Sequence, residues 1–537
     1  MATIDYSKRT IGAVVEDKAR MLGDKTFLIF GDQQISYAKM NENANKVANA
    51  LADMGVKKGD NVIIISPICP EYIHAWFGLA KLGAIEVTLN DRLRGSLLRH
   101  EIDFSDAEII MMDHSLAARI GEIEAELKNL KRAIVWVGGQ GDTAVKPKVD
   151  LTVPVTPWSD LLSFPDTAPK ADVRHYDPYN MQYTSGTTGP PKACLLPHNM
   201  AIHYCELINK YMKTTGDDVV WNFFPLYNLT GQLETTFEAF LAGARLVYTQ
   251  GWDPKTFWDT VRKQKITQTW FYGRVLAALL NEPPSLDDRN HTLRVVSAVP
   301  CPADLDRQFR ERFGTVLLEV CGMTEVGITN YRPLDDPRFG SAGPANCGVD
   351  VKIFDDEDNE LSPGQIGEIV YRPQKPYIMF FGYHKMPEVT VKMWRNFWAH
   401  SGDLGVIDQE GWLYFKGRKG ERIRTKGFVI NAPQVEEILN KHPKVMETAV
   451  IGVKAEYGEE EVMAFVVPRE GQKVVPEELM QFCEKEMPYY MVPRYIEFRE
   501  KLPKTEGTLR VTKDRLREEG VSERTWDRKK AGYELKR

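Results

Sequence analysis

Long apolar runs, basic clusters and paired cysteines are all missing from this sequence of 537 residues. No stretch approaches the roughly 20 apolar residues that a membrane-spanning helix requires. The 69 Lys and Arg residues are outnumbered by 75 Asp and Glu residues, and the net charge of −6 disfavours a nucleic acid partner. The seven cysteines form no C-x-x-C pair and show no zinc-site spacing. We therefore expect a soluble protein of the reducing cytoplasm, without a membrane span.

The length and the pattern of apolar residues indicate an α/β protein with more than one domain. A chain of 537 residues exceeds the size at which a single core keeps growing. Short apolar runs alternate with amphipathic stretches, as in the predicted helix 40–54 and strand 62–66. Two glycines in a charged segment near residue 418 indicate a boundary. We predict a large N-terminal α/β region of several subdomains at 1–418 and a small α+β domain at 419–537.

A stretch rich in hydroxyl groups and glycine occupies residues 183–192, with the sequence YTSGTTGPPK. Its backbone N–H groups, side-chain donors and ammonium group suit a polyphosphate, although a solvated turn is the alternative. It is not the usual P-loop, because Pro190 and Pro191 precede Lys192 and Ala193 stands where Ser or Thr would bind magnesium. The candidate ATP-binding residues of this loop are Thr184, Ser185, Gly186, Thr187, Thr188, Gly189 and Lys192.

Further motifs follow in a fixed order, with GMTE at 322–325, HSGDL at 400–404 and GR at 417–418. Together with the loop they resemble the adenylate-forming superfamily of acyl-CoA synthetases, peptide-synthetase adenylation domains and luciferases, over almost the whole chain. The TWDR sequence at 525–528 and the overall pattern look most like the carnitine/crotonobetaine-CoA ligase branch. The resemblance implies an enzyme with a mobile C-terminal domain. It would use ATP and Mg²⁺ to convert a small carboxylic acid to its acyl-adenylate, and would transfer the acyl group to coenzyme A.

In similar enzymes the threonine of the GMTE motif touches the α-phosphate and the glutamate holds magnesium, which suits a hard cation. Glu325 is therefore both a catalytic and the metal candidate, beside Lys192, which neutralises charge on the leaving pyrophosphate. This chain departs from the family at Cys321, where an aromatic residue usually packs on adenine. The nucleotide candidates of this region, including a second departure at 297–298 from the usual Gly-Gly, are Ser297, Ala298, Cys321, Gly322, Met323, Thr324 and Glu325.

Four positions near the predicted boundary complete the nucleotide and thiol sites. A carboxylate at Asp403 can accept from ribose hydroxyls, and the guanidinium of Arg418 can bind ribose or phosphate. Taken singly, each also fits a turn carboxylate or a solvated linker charge. The resemblance implies a hinge at Gly420. It also implies a coenzyme A contact at Gly427, where backbone must pass close to the pantetheine, although a plain strand turn is the alternative.

The segment 502–510 occupies the place of a family signature that ends in a catalytic lysine, and that lysine is missing. If one residue is inserted, Arg510 takes its place; without the insertion, Leu509 does. A cation there would bridge the substrate carboxylate and the α-phosphate. Arg510 is the third catalytic candidate, and Lys504 and Lys513 are rival cations.

The acid-binding region has the weakest pattern. Asn228 follows Tyr227 where the family commonly has an aromatic-His pair, so a ring that often gates the acyl tunnel is replaced. The resemblance also places Gly231, Trp270 and Tyr272 in the pocket, although an aromatic cluster more often belongs to a core. Transfer to a carrier-protein thiol, oxidative chemistry and a catalytically weak nucleotide-binding homologue stay open as alternatives. The identity of the acid and a homodimeric assembly are left open too.

Overall fold

The computed structural model describes residues 5–139, 149–184, 192–299, 301–419, 422–425, 428–454, 460–487, 489–505 and 511–535. By their contacts these residues form two compact units. The first holds the described residues up to Val351 and the segment Tyr371–Ala399, and the second holds Lys352–Val370 and the described residues from His400 onward. The predicted division into 1–418 and a mobile domain at 419–537 stays a prediction.

Two large sheets form the centre of the first unit. In the order of its neighbours, one sheet consists of Gly327–Tyr331, Val316–Met323, Val295–Val299, Gln268–Tyr272, Val219–Asn222, Arg245–Tyr248, Thr26–Phe30 and Gln33–Ser36. The other consists of Gly382–Tyr383, Lys192–Pro197, Pro178–Thr184, Ile85–Thr88, Asn61–Ile65, Ile109–Asp113, Arg132–Trp136 and Val155–Pro157. The central strands of both sheets run parallel. Antiparallel partners lie at their edges.

Helices cover these sheets, as parallel strands require. The helices of the first unit are Ile11–Leu22, Tyr37–Asp53, Pro70–Leu82, Gly95–Phe104, Ala117–Gly121, Trp158–Leu161, His198–Met212, Leu229–Gly231, Glu238–Ala242, Phe257–Gln264, Gly273–Asn281, Ala303–Phe313 and Pro387–Met393. A π-helix, Gln232–Phe237, joins two of them. Local chemistry sets the ends: Ser36 caps its helix by accepting from the backbone N–H of Lys39 at 3.1 Å. Among the described residues, every helix is too short or too polar to cross a membrane.

The buried strands show why the sequence pattern gives this fold. The strand Asn61–Ile65 lies between two parallel neighbours, and its apolar side chains are buried. The predicted strand at 62–66 and helix at 40–54 are thus confirmed within one residue at the strand and three at the helix start. Four strands of this unit end at Thr184, Tyr272, Val299 and Met323. Ligands of open α/β sheets bind at the carboxyl ends of strands.

The second unit is α+β. The strand Trp412–Arg418 pairs with Ala399–Ile407, and Gly367–Pro373 and Val349–Phe354 follow in the same sheet. A hairpin, Arg422–Thr425 with Phe428–Asn431, precedes a sheet of Val445–Lys454, Glu460–Pro468, Tyr495–Phe498 and Trp526–Asp527. The helices Ala432–Asn440, Pro476–Glu486 and Lys513–Glu519 belong to the same unit. The predicted α/β class with a small α+β part is confirmed.

Candidate active site

The candidate phosphate loop is closed by a pair of antiparallel strands. Thr184 lies directly opposite Lys192 in the register of Pro178–Thr184 and Lys192–Pro197. The Thr184 hydroxyl donates to the carbonyl oxygen of Lys192 at 3.3 Å. The two ends of the loop are therefore held side by side. The candidates between them, Ser185, Gly186, Thr187, Thr188 and Gly189, lie outside the described residues.

Tyr383 brings the two main charged candidates together. Its hydroxyl donates to Oε1 of Glu325 at 2.7 Å, and the Lys192 Nζ lies 5.1 Å from the centre of its ring. The backbone N–H of Phe380 also donates to the carbonyl of Glu325 at 2.9 Å. Burial, with the nearby Glu325 charge, raises the pKa of Tyr383, so its hydroxyl remains a donor at neutral pH. A cation and a carboxylate thus meet at one ring.

Sequence reasoning did not find Tyr383. It lies in FFGYHK, an aromatic-rich stretch in which one tyrosine carries no distinguishing signal. Its strand, Gly382–Tyr383, pairs with Lys192–Pro197, so that Tyr383 lies opposite Cys194. Only this pairing, which no local pattern encodes, places the residue beside Lys192.

Glu325 lies in a tight turn that two glycines make possible. The turn joins Val316–Met323 to Gly327–Tyr331, and Gly327 closes it with a φ of 73°, a left-handed conformation that glycine adopts readily. Gly322 faces Gly327 so closely that a Cβ on Gly322 would lie 2.2 Å from the carbonyl oxygen of Gly327. Met323 ends the first strand and Thr324 begins the turn. The GMTE motif therefore carries its carboxylate on a hairpin tip that tolerates no larger residue at its base.

The candidates near adenine lie in the same sheet. The Ser297 hydroxyl is buried and pairs with the hydroxyl of Tyr331, and Ala298 lies opposite Glu319 on the next strand. Burial raises the pKa of Glu319 to about 7, although the Arg332 charge opposes the rise. Cys321 is half-buried, with its Sγ 3.6 Å from the Tyr371 hydroxyl. A thiol beside a phenol hence occupies the position where the family usually has an aromatic ring.

The candidate acid residues form a compact cluster. Tyr227 accepts at its carbonyl oxygen from the Gln182 side-chain amide, and the Thr230 and Tyr272 hydroxyls are 2.9 Å apart. A Cβ on Gly231 would lie 2.3 Å from the carbonyl oxygen of Pro225, so backbone packs directly against backbone there.

The remaining acid candidates complete this cluster. Asn228 precedes the helix Leu229–Gly231 and is half-buried. The Trp270 side chain is 4% exposed and shares a strand with Tyr272. Of the two, Trp270 therefore fits a core position, whereas Asn228 keeps part of its surface accessible.

In the second unit the two ribose candidates pair with each other. Asp403 lies opposite Arg418 in the register of their strands, and the Nε of Arg418 is 3.1 Å from Oδ1 of Asp403. The guanidinium thus holds the carboxylate in place on the neighbouring strand. Gly420, Gly427 and Arg510 lie outside the described residues.

The residues present fit magnesium in the way that nucleotide enzymes hold it. Within the described part of the chain, no group of three or more His, Cys, Asp or Glu could hold a metal ion by itself. Mg²⁺ is ordinarily held by one or two carboxylates together with substrate phosphates and water. Glu325, oriented by the Tyr383 hydroxyl, is a carboxylate of this kind.

Comparison with known proteins gives one family throughout. The model of the AMP-binding enzyme matches residues 15–384, and that of the AMP-binding enzyme C-terminal domain matches residues 434–507. Crotonobetaine/carnitine–CoA ligase from Salmonella heidelberg (strain SL476) is 32% identical over 507 residues, which cover 91% of this chain and 95% of the relative.

Solved structures agree with this assignment. Anthranilate CoA ligase AuaEII in complex with anthranoyl-AMP has a TM-score of 0.85 at 24% identity, covering 95% of this chain and 97% of that one, and so shows the same fold. ATP-bound MatB from Rhodopseudomonas palustris has a TM-score of 0.84 at 25% identity, covering 95% and 98%. The family predicted from the motifs is confirmed: the chain belongs to the AMP-binding enzymes, among the adenylate-forming acyl-CoA ligases.

Proposed function

We propose that this chain is an AMP-forming acid:CoA ligase that requires Mg²⁺. The observation that carries the proposal is the meeting of Lys192 and Glu325 at Tyr383, beside the strand that leads into the phosphate loop. The two charged residues belong to motifs that lie far apart in the sequence. Their convergence on one ring supports a shared role at the polyphosphate.

The first half-reaction joins two anions. A carboxylate oxygen of the acid attacks the α-phosphorus of ATP, the bond from that phosphorus to the β-bridging oxygen breaks, and pyrophosphate leaves with the electron pair. Repulsion between the reactants falls when cations lie beside them. Lys192 would compensate charge on the polyphosphate, and Arg510 would bridge the two reacting groups. Asp403 and Arg418 would hold the ribose.

Mg²⁺, when bound, neutralises charge on phosphate oxygens. We propose that Glu325 holds it. The hydrogen bond from the Tyr383 hydroxyl to Oε1 of Glu325 would orient the carboxylate toward the bound ion.

The second half-reaction replaces AMP by a thiol. The sulfur of coenzyme A attacks the acyl carbon, the bond from that carbon to the phosphate oxygen breaks, and AMP leaves while the thiol proton passes to solvent. The acyl-adenylate formed in the first half-reaction is the substrate of the second, so a domain that carries Gly427 must approach after the pyrophosphate has left. We propose that Gly420 is the hinge for this motion.

We propose crotonobetaine or carnitine as the acid substrate to test first. The support is the similarity to ligases with those names at 32% identity over most of both chains. The rings of Tyr227 and Tyr272 belong to the candidate cluster, and aromatic faces attract quaternary ammonium groups. Crotonate, which has the same chain without the trimethylammonium group, is the matched test acid.

The experiment is acid-dependent exchange of labelled pyrophosphate into ATP, with crotonobetaine, carnitine, crotonate, anthranilate and o-succinylbenzoate, followed by thioester formation with coenzyme A. Exchange and thioester formation with crotonobetaine but not crotonate would support the proposal. Exchange without transfer to coenzyme A would indicate a carrier-protein thiol or an oxidative reaction. No exchange with any acid would leave only a nucleotide-binding homologue.

Lys192→Ala and Glu325→Gln should each lower the exchange rate about a hundredfold, because each removes charge compensation from the phosphates. Lys210→Ala is the matched control, since its Nζ also lies over a tyrosine ring, 4.7 Å from the centre of Tyr211, outside the site. Unchanged exchange in both site variants would show that the nucleotide site lies elsewhere.

We also propose that the enzyme works in the cytoplasm, where ATP and coenzyme A are both available to it. A homodimer is the assembly to test first, by light scattering of the purified chain at several concentrations. A molar mass that stays at 61.2 kDa, the mass of one chain, would contradict it.

A further inference from the structure

One strand of the first unit carries three polar side chains on the same face. In Pro178–Thr184, residues 180, 182 and 184 point to one side because alternate residues of a strand share a face. Thr184 begins the phosphate loop. Asn180 and Gln182 are buried, and neither was singled out from the sequence. The contacts of these two amides connect the loop strand to the acid candidates.

Gln182 holds the start of the segment 227–232. Its Nε2 donates to the carbonyl oxygen of Tyr227, just before Asn228. Only 4% of Gln182 is exposed, so water does not compete for this bond. The segment therefore starts at a point fixed to the strand, two residues before Thr184.

Asn180 and Glu86 hold the end of the same segment. The Nδ2 of Asn180 donates to Oε2 of Glu86 at 3.0 Å, and the Nε2 of Gln232 donates to Oε1 of Glu86 at 2.8 Å. Glu86 lies opposite Asn180 on the neighbouring strand, and all three side chains are fully buried. Each carboxyl oxygen accepts from one amide, so Glu86 joins the loop strand to Gln232.

We propose that Gln182 and the Glu86–Asn180–Gln232 trio are positioning residues, which fix the acid-binding segment 227–232 to the strand that ends in the phosphate loop. This inference rests on the proposed acid ligase activity. The two anchors bracket the segment, so they set the distance between the acid's carboxylate and the α-phosphate that it must attack. A near-attack arrangement of this kind is sensitive to small displacements.

The first test separates the hydrogen bond from the packing. Gln182→Met keeps the side-chain length and removes the donor to Tyr227. We expect kcat/KM for the fastest acid of the panel to fall about threefold to tenfold, because one buried hydrogen bond is lost, while KM for ATP stays within about twofold. Asn45→Ala is the control, because Asn45 is an equally buried amide that donates to a backbone carbonyl, that of Asp166, at 2.6 Å. Equal changes for acid and ATP, no change at all, or the same acid defect in the control would overturn the proposal.

The second test uses rescue by a conservative variant. Glu86→Gln keeps the shape and can pair with both amides after one of them flips, so we expect kcat/KM for the acid within about twofold of the wild type. Glu86→Leu removes the acceptor that both amides share and leaves only the longer contact of 3.4 Å from Asn180 Nδ2 to Gln232 Oε1, so we expect a loss of more than tenfold. If both variants behave alike, the trio does not position the segment.

A third measurement does not depend on which acid is used. Hydrogen exchange of the backbone amides at 227–232 should be faster in Gln182→Met than in the wild type, with exchange in Lys192–Pro197 unchanged. Should the wild type adenylate none of the panel acids, the proposed function fails for those acids, and this measurement still decides the anchoring. Unaltered exchange at 227–232 would overturn it.

Discussion

At the scale of single residues, the site depends on a phenol that carries no charge. Tyr383 connects Glu325 and Lys192 by two different parts of its side chain, the hydroxyl and the ring face. The phenol hydroxyl donates to the carboxylate without placing a second charge beside it. The ring in turn limits where the ammonium group can lie. Tyr383 therefore restricts the positions of both charged side chains.

Tyr383→Phe removes the hydroxyl and keeps the ring. We expect kcat/KM for pyrophosphate exchange to fall about threefold to tenfold, because the Glu325 carboxylate loses one donor and its fixed orientation. The Mg²⁺ concentration that gives half-maximal exchange should rise at the same time. Tyr211→Phe is the control, since the Tyr211 hydroxyl donates to a backbone carbonyl, that of Asn346, at 3.0 Å. Wild-type exchange and magnesium dependence in Tyr383→Phe would contradict this role.

A buried carboxyl group makes stability depend on pH. Burial raises the pKa of Glu86 from 4.5 to about 8, so the folded chain keeps a proton that the unfolded chain releases above pH 4.5. This contribution is complete below pH 4.5 and is lost as pH rises through about 8. The melting temperature of the wild type should therefore fall relative to that of Glu86→Gln between pH 5.5 and 8.5. Burial likewise raises the pKa of Glu101, Glu234 and Glu319 to about 7, but these groups are common to both proteins. A constant difference in melting temperature across this pH range would refute the prediction.

At the scale of elements, a short hairpin presents the carboxylate of Glu325. Its two strands approach so closely at Gly322 that the backbone of one strand contacts that of the other. A turn so constrained has few alternative shapes. Backbone packing at Gly322 thus restricts where Glu325 can lie, in addition to the hydrogen bond from Tyr383.

Gly322→Ala should distort this hairpin. The new Cβ would lie 2.2 Å from the Gly327 carbonyl oxygen, so the strands must separate and Glu325 must move. We expect exchange activity to fall more than tenfold and stability to fall by about 1–3 kcal/mol. Gly216→Ala is the control, because its Cβ would meet first the end of a flexible lysine, 3.3 Å away. Activity and melting temperature are the measurements, and a fully active Gly322→Ala would show that the hairpin yields without displacing Glu325.

The sequence is informative where chemistry is local and uninformative where it is not. Lys192 and Glu325 stand in motifs whose residue types already indicate phosphate and metal, and the apolar run at 62–66 indicates a buried strand. Tyr383, Gln182 and Glu86 find their partners 58, 45 and 94 residues away. A polar residue whose partner is so distant carries no pattern of its own. The order of the strands in the sheets brings these pairs together, and no local sequence pattern encodes that order.

At the scale of the whole molecule, the proposed reaction requires two arrangements of the chain. Residues assigned to adenylation lie on both sides of Gly420, and the proposed coenzyme A contact lies beyond it. A substitution at the hinge should therefore uncouple the two half-reactions.

Gly420→Pro should trap one arrangement, because a hinge must change φ and ψ whereas proline fixes φ near about −65°. Freezing the adenylating arrangement would spare pyrophosphate exchange and abolish thioester formation, and the opposite freeze would reverse this pattern. The measurement is each half-reaction alone on the folded variant, with thioester formation started from preformed acyl-adenylate. Equal loss in both would mean that Gly420 is an ordinary turn residue.

The π-helix Gln232–Phe237 makes the acid segment unusually open to change by insertion and deletion. A π-turn differs from an α-turn by one extra residue, so losing one codon there would restore an α-helix with little loss of hydrogen bonding. Because the wider turn takes up the extra residue, its loss would leave Leu229–Gly231 and Glu238–Ala242 in nearly the same relative orientation. A lineage can therefore gain or lose one residue here in a single genetic event, while the acid segment on one side and the nucleotide-binding hairpin keep their places.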